Sequence, residues 1–245
     1  MTAPFPTHKQ ESWRYADLDA LRPVWEEFAQ PVTLTVGEGE VLEETWLPLG
    51  GDVQLRRVQL ALGPRAKTRI FALNAAPAYG RIELEVSLQE GAQFELHGAN
   101  IGSGVSTNEI VTSVRHLGPG GRSRQVIRSV LNGKAIGSYL GKVEVDRAAQ
   151  KTDAEQSVKA MLLERGATAN CKPELEIYAD DVKCAHGATV GELDAMQLFY
   201  AQSRGLDPGS ARALLLEGFV MGLWDGAKHP DEIGEAAREA LRRVV

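Results

Sequence analysis

Apolar and polar residues alternate one for one along much of the middle of this chain. Ile82, Leu84, Val86 and Leu88 interleave with Arg81, Glu83, Glu85 and Ser87. Successive residues of a strand point to opposite faces, so this stretch predicts a half-buried strand. Similar signals lie at Val53–Leu62, Arg69–Leu73, Gln93–His97, Glu109–Leu117, Arg124–Leu131, Gly141–Val145 and Glu174–Tyr178. Gly63, Gly80, Gly91, Gly102, Gly118 to Gly121, Gly133 and Gly166 punctuate them, as turn residues do. Few gaps have room for a helix, which argues against βαβ units. The zone from 31 to 190 therefore reads as all-β. A sandwich, a barrel and a β-solenoid all fit, because the uneven spacing of the strand signals shows no fixed repeat.

The rhythm is helical at both ends. Ser12–Leu21 predicts a short helix with Ser12 as N-cap and Pro23 soon after its end, with Trp13, Tyr15, Leu18 and Leu21 as its apolar side. After Gly191, three helices follow: Glu192–Arg204 closed by Gly205, Pro208–Asp225 closed by Gly226, and Pro230–Val245. The third has Asp231 and Glu232 early and Arg242 and Arg243 late, complementing the helix dipole. The second carries Ala211, Leu214, Leu215, Leu216, Phe219, Val220, Met221, Leu223 and Trp224 nearly all round. A helix lying on a core needs only one apolar stripe. Either its own neighbours cover both sides or a partner protein covers one. The chain thus divides into a short N-terminal helical segment, 1–30, a β core, 31–190, and a C-terminal helical subdomain, 191–245.

Composition narrows the function classes. With 43% hydrophobic residues among 245, a sizeable core can form. The net charge of −6 argues against a nucleic-acid backbone or an anionic membrane as partner. No apolar run approaches the roughly 20 residues that span a bilayer. Residues 1–6 lack the basic start and apolar run of a secretory signal. With only Cys171 and Cys184 as cysteines, these points predict a cytoplasmic protein whose thiols stay reduced and free to meet metal.

Cys184 and His186 stand two residues apart. On a strand they would face the same side, roughly 7 Å from each other. Thiolate and imidazole suit iron–sulfur chemistry and zinc, but two residues cannot enclose a cluster. His8, His97, His116 and His229 are scattered without ligand spacing. The pattern points to an open site completed by another chain, although a lone Cys and His more often serve packing or the surface. Cys171 reads as a buried free thiol. Asp180 and Asp181, being adjacent, would point to opposite faces of a strand, so a turn role fits better than paired catalysis. Neither Gly137–Val143 nor Gly118–Gly121 has the Lys–Ser/Thr ending of a phosphate loop, and no Gly-x-Ser-x-Gly elbow occurs. The expectation is a protein that is not an enzyme.

The segment Leu162–Leu206 contains Lys172-Pro173-Glu174-Leu175-Glu176-Ile177, Ala179-Asp180-Asp181-Val182 and His186-Gly187-Ala188-Thr189-Val190-Gly191. Leu198-Phe199-Tyr200 and Ser203-Arg204-Gly205-Leu206 follow. This run resembles the signature region of the SufB/SufD family of iron–sulfur cluster assembly. The likeness extends more loosely through Asp153-Ala154-Glu155-Gln156, Leu162-Leu163 and Trp13-Arg14-Tyr15, and His186-Gly187 is the SufD-like form of the motif. About thirty residues stand where the family usually has a longer N-terminal helical region.

The resemblance implies a right-handed parallel β-helix with helical ends. It implies a scaffold subunit acting with a SufB-like subunit and a SufC-like ATPase, and able to pair with itself in isolation. No cofactor would be bound stably; a transient iron–sulfur cluster would be shared with the SufB-like chain. His186 would be the ligand at the junction and Cys184 a weaker candidate. Glu174, Glu176 and Tyr178 would lie in the pairing region, and Leu215, Phe219, Leu223 and Trp224 would dock the ATPase. The rival from another class is a β-helical carbohydrate-active enzyme, which needs an exposed carboxylate cluster along a groove. A homodimeric interaction module without metal is the third reading.

Overall fold

The computed structural model describes residues 4–245. Among them, the alternating stretches form twelve strands: β1 Val32–Val36, β2 Val41–Trp46, β3 Val53–Leu62, β4 Lys67–Asn74, β5 Tyr79–Leu88, β6 Gln93–Gly102, β7 Thr107–His116, β8 Arg122–Leu131, β9 Ile136–Val145, β10 Asp153–Leu162, β11 Thr168–Ile177 and β12 Lys183–Gly191. Odd-numbered strands build one six-stranded sheet and even-numbered strands a second. Every pairing is parallel, so the chain coils as a β-solenoid of about six turns with one strand of each sheet per turn.

Parallel register stacks like on like. Leu34, Leu60, Val86, Val114, Val143 and Leu175 form one inward column of the first sheet. Full burial of such a side chain contributes about 1.5–3 kcal/mol, and four of the six are fully buried. The repeat that this register defines is not constant. Partners lie 26 residues apart at Val53–Tyr79, then 28 at Tyr79–Thr107, 29 at Thr107–Ile136 and 32 at Ile136–Thr168. Lengthening turns account for the absence of a fixed period in the sequence.

The N-terminal segment lies on the outer face of the first sheet. The predicted helix from Ser12 to Leu21 is not continuous. A 3-10 turn at Glu11–Trp13 precedes α1, Leu18–Leu21, whose cap is Asp17 rather than Ser12; α2 follows at Trp25–Phe28. The break has a physical cause in Arg81. This side chain is fully buried, its guanidinium lies 3.7 Å from the centre of the Trp13 ring, and Nη2 donates to the Ser12 carbonyl at 2.8 Å. Trp13, Leu21 and Trp25 then pack on Leu55 and Tyr79.

The C-terminal helices fold back onto the outer face of the second sheet. They are α3 Ala195–Ser203, α4 Pro208–Val220 and α5 Pro230–Arg242, with Asp194 and Asp207 capping α3 and α4. Leu216, Val220, Ile233, Ala237 and Leu241 pack against Phe71, Leu73, Ala99, Ile101 and Val130. The other end of the molecule is bare. β11 has only β9 as neighbour and β12 only β10, so both sheets end at the same place with one edge unpaired.

Candidate functional site

The interior changes character towards that bare end. One inward column of the second sheet runs Ile70, Leu96, Gln125, Gln156, His186. It is aliphatic in the middle of the molecule and polar in its last three rungs. Opposite, the Tyr139 hydroxyl donates to Gln125 Oε1 at 3.1 Å and accepts from Gln156 Nε2 at 2.9 Å, with Thr112 Oγ1 3.3 Å away. Burial pushes the Tyr139 hydroxyl up to about 12, so it stays protonated. Gly141 makes room for it: a Cβ there would lie 2.1 Å from the hydroxyl oxygen.

His186 tops this column on the edge strand β12 and is exposed. Its near neighbour Cys184 is half-buried over Ala154 and packs against the solenoid core. Burial raises its pKa, aided by the Asp153 charge and opposed by a backbone hydrogen bond at Ala154. Cys171 caps the column of Tyr139 in the first sheet; it too is only half-buried, with burial raising its pKa. Both cysteines are free thiols. Among the described residues, no three His, Cys, Asp or Glu side chains converge as a metal-binding set.

Glu174 and Glu176 alternate with the inward Cys171 and Leu175 and so stand on the outer face of β11. There Glu174 pairs with Lys172 at 3.1 Å and Glu176 with Lys142 at 2.8 Å. Tyr178 is exposed just beyond the strand. Asp180 and Asp181 belong to the turn between β11 and β12. The Asp181 amide donates to Gln150 Oε1 at 3.0 Å, and its carboxylate pairs with Lys151.

The helix residues divide. Leu215 and Phe219 are partly exposed, and Phe219 lies against the Arg128 guanidinium at 5.8 Å. Leu223 and Trp224 are buried, which corrects their assignment to a docking surface. After Val220 the helix tightens into a 3-10 turn, Met221–Trp224, which turns both side chains onto the core shared with Phe71 and Ile101. The larger apolar surface lies elsewhere. Met196, Phe199 and Tyr200 of α3 are each at least 60% exposed, and Leu214 of α4 is exposed with them. Their spacing of three and four residues is the signal that could have revealed this face.

Fold and site together define a parallel β-solenoid with a helical C-terminal end, whose last rung presents imidazole and thiol at edge strands. Residues 49–219 match the family described as SUF system FeS cluster assembly, SufBD core domain. The chain belongs to this SufB/SufD family. It is 33% identical over 172 residues to an iron–sulfur cluster assembly SufBD family protein of Synechocystis sp., covering 70% of this chain and 38% of that one. It is 38% identical over 106 residues to the iron–sulfur cluster assembly protein SufD of Escherichia coli, 43% of this chain and 25% of the relative. With SufD of Bacillus subtilis the identity is 31% over 164 residues, 67% and 36% of the two chains. The matched regions thus span only 25% to 38% of these curated relatives. Among the described residues, no helix is long and apolar enough to cross a membrane.

Proposed function

We propose that this chain is a non-catalytic, SufD-like scaffold subunit of cytoplasmic iron–sulfur cluster assembly, working with a SufB-like subunit and a SufC-like ATPase. One observation carries the reading: an exposed histidine stands on an unpaired edge strand, at the end of a solenoid whose interior turns polar beneath it. An edge strand is a template for another chain, and a single imidazole is an incomplete ligand set. The SufB-like subunit would cover β11 and β12 and complete the ligands. The transient cluster is cargo, built at the seam and passed on. An imidazole can donate a ring-nitrogen electron pair without first losing a proton. Cys184, whose pKa burial raises, must first give up its proton, which makes it the weaker ligand. The ATPase would cover the apolar face of α3 and α4, with Leu215 and Phe219 at its border.

Four carboxylates of the first sheet are already engaged. Glu83 and Glu109 are buried with Arg81, while Glu174 and Glu176 are paired with lysines. The test is His186→Ala in a complex reconstituted with SufB-like and SufC-like chains, iron and sulfide. Cluster formation, followed by absorbance, should fall at least tenfold; an unchanged rate would remove His186 from the chemistry.

A further inference from the structure

The amide of Gln156 is locked from one side only. The Tyr139 hydroxyl has one proton to give and gives it to Gln125 Oε1. It can therefore only accept from Gln156, which fixes Nε2 as the arm turned towards it. Among the described residues the other arm, Oε1, has no partner, in a side chain only 1% exposed. A buried acceptor left empty is costly. Gln125 Nε2, one rung lower, is also unpartnered, yet the two do not bond to each other; each amide has its other arm on the same hydroxyl. One rung higher, in register and on the same side, stands His186. Neighbouring strands are about 4.8 Å apart, within reach of a side-chain hydrogen bond. Both residues line one depression of about 350 Å³.

We infer that Gln156 is a positioning residue for His186: its free oxygen accepts the ring N–H and leaves the other ring nitrogen turned out of the open end. This rests on the reading of His186 as a ligand. An imidazole that ligates metal through one nitrogen is commonly held by a hydrogen bond from the other, which sets its tautomer and its aim. Here the chain of Gln125, Tyr139 and Gln156 would hold the ring before any metal arrives.

The test is nitrogen NMR of the full chain carrying labelled histidine, at a pH where the ring is neutral. A single tautomer is expected for His186, and two in exchange for Gln156→Leu. Gln156→Glu keeps an acceptor oxygen and should restore the single form. Tyr139→Phe frees the amide to turn over and should blur it, which provides a second route if Gln156→Leu does not fold. Gln125→Met frees the hydroxyl proton for Gln156 Oε1 and should blur it in the same way. The inference fails if native His186 already shows both tautomers, or if Gln156→Leu leaves its spectrum unchanged. The ligand reading is tested separately: a normal cluster-building rate for His186→Ala would sink that reading, while the ring spectrum would still decide the Gln156 contact.

Discussion

Replacing Arg81 by methionine tests how the N-terminal segment is held. Arg81 Nη2 lies 2.7 Å from Glu83 Oε2 and Nη1 lies 3.3 Å from Glu109 Oε2. Glu83 keeps a second partner in Arg57 at 3.0 Å. Among the described residues Glu109 has no second cation, and its carboxylate keeps the Tyr79 hydroxyl, at 2.6 Å. Burial pushes the Glu109 carboxyl above its ordinary range even with Arg81 beside it. Methionine would retain the apolar contact with Trp13 while leaving this carboxylate uncompensated. Breaking such a pair costs about 3–5 kcal/mol. At about 2–4 °C per kcal/mol for a chain of this size, the melting temperature should drop by about 6–20 °C. Trp13 and Trp25 report the event by fluorescence, since both sit in the affected cluster. The loss should be larger at pH 8 than at pH 5, because the penalty falls on the ionised carboxylate alone. Adding Glu109→Gln to Arg81→Met should recover part of the stability. A loss below about 1 kcal/mol, or a double variant no more stable than the single one, would refute the argument.

Other perturbations read other parts of the molecule. His116 is buried, with its pKa depressed to about 4 by desolvation, and its Nε2 lies 2.9 Å from Ser123 Oγ. The unfolded chain takes up this proton near pH 6.5 and the folded chain only near 4. Stability should therefore fall as pH drops through that window, by up to about 3 kcal/mol; a His116→Phe chain as pH-sensitive as the native one in urea titrations would count against this. Gly141→Ala should cost about 1–3 kcal/mol by overpacking against Tyr139, measured by calorimetry, with an unchanged transition as the adverse result. Met196→Asp with Phe199→Asp should abolish ATPase pull-down while circular dichroism stays native. Leu223→Asp should instead unfold the helical end, and equal behaviour of the two variants would defeat the distinction drawn between these faces.

Strand positions were legible because alternation is a local property. Ile82, Leu84, Val86 and Leu88 do face inward. How the strands stack was legible only through the family resemblance, since turns that grow by a few residues erase the period. Alternation also assigns Arg81 to the outer face, correctly, but cannot show that Trp13 covers it. That fact depends on a contact between residues 68 positions apart. Likewise Leu223 and Trp224 continue an apolar helix in sequence, and only the tightening after Val220 turns them inward. His186 was singled out by its motif, whereas Gln156 entered only as one residue of a loosely matching run. A glutamine in a strand carries no mark of its own; its meaning comes from the rung above and the hydroxyl beside it.

The bare rung has a consequence for how the protein must be produced. Backbone donors and acceptors of two neighbouring edge strands, β11 and β12, lie side by side at this pole, a template for adding more strand. Copies left uncovered at high concentration would use one another instead. Keeping such an edge in solution takes either a low concentration or something laid along it.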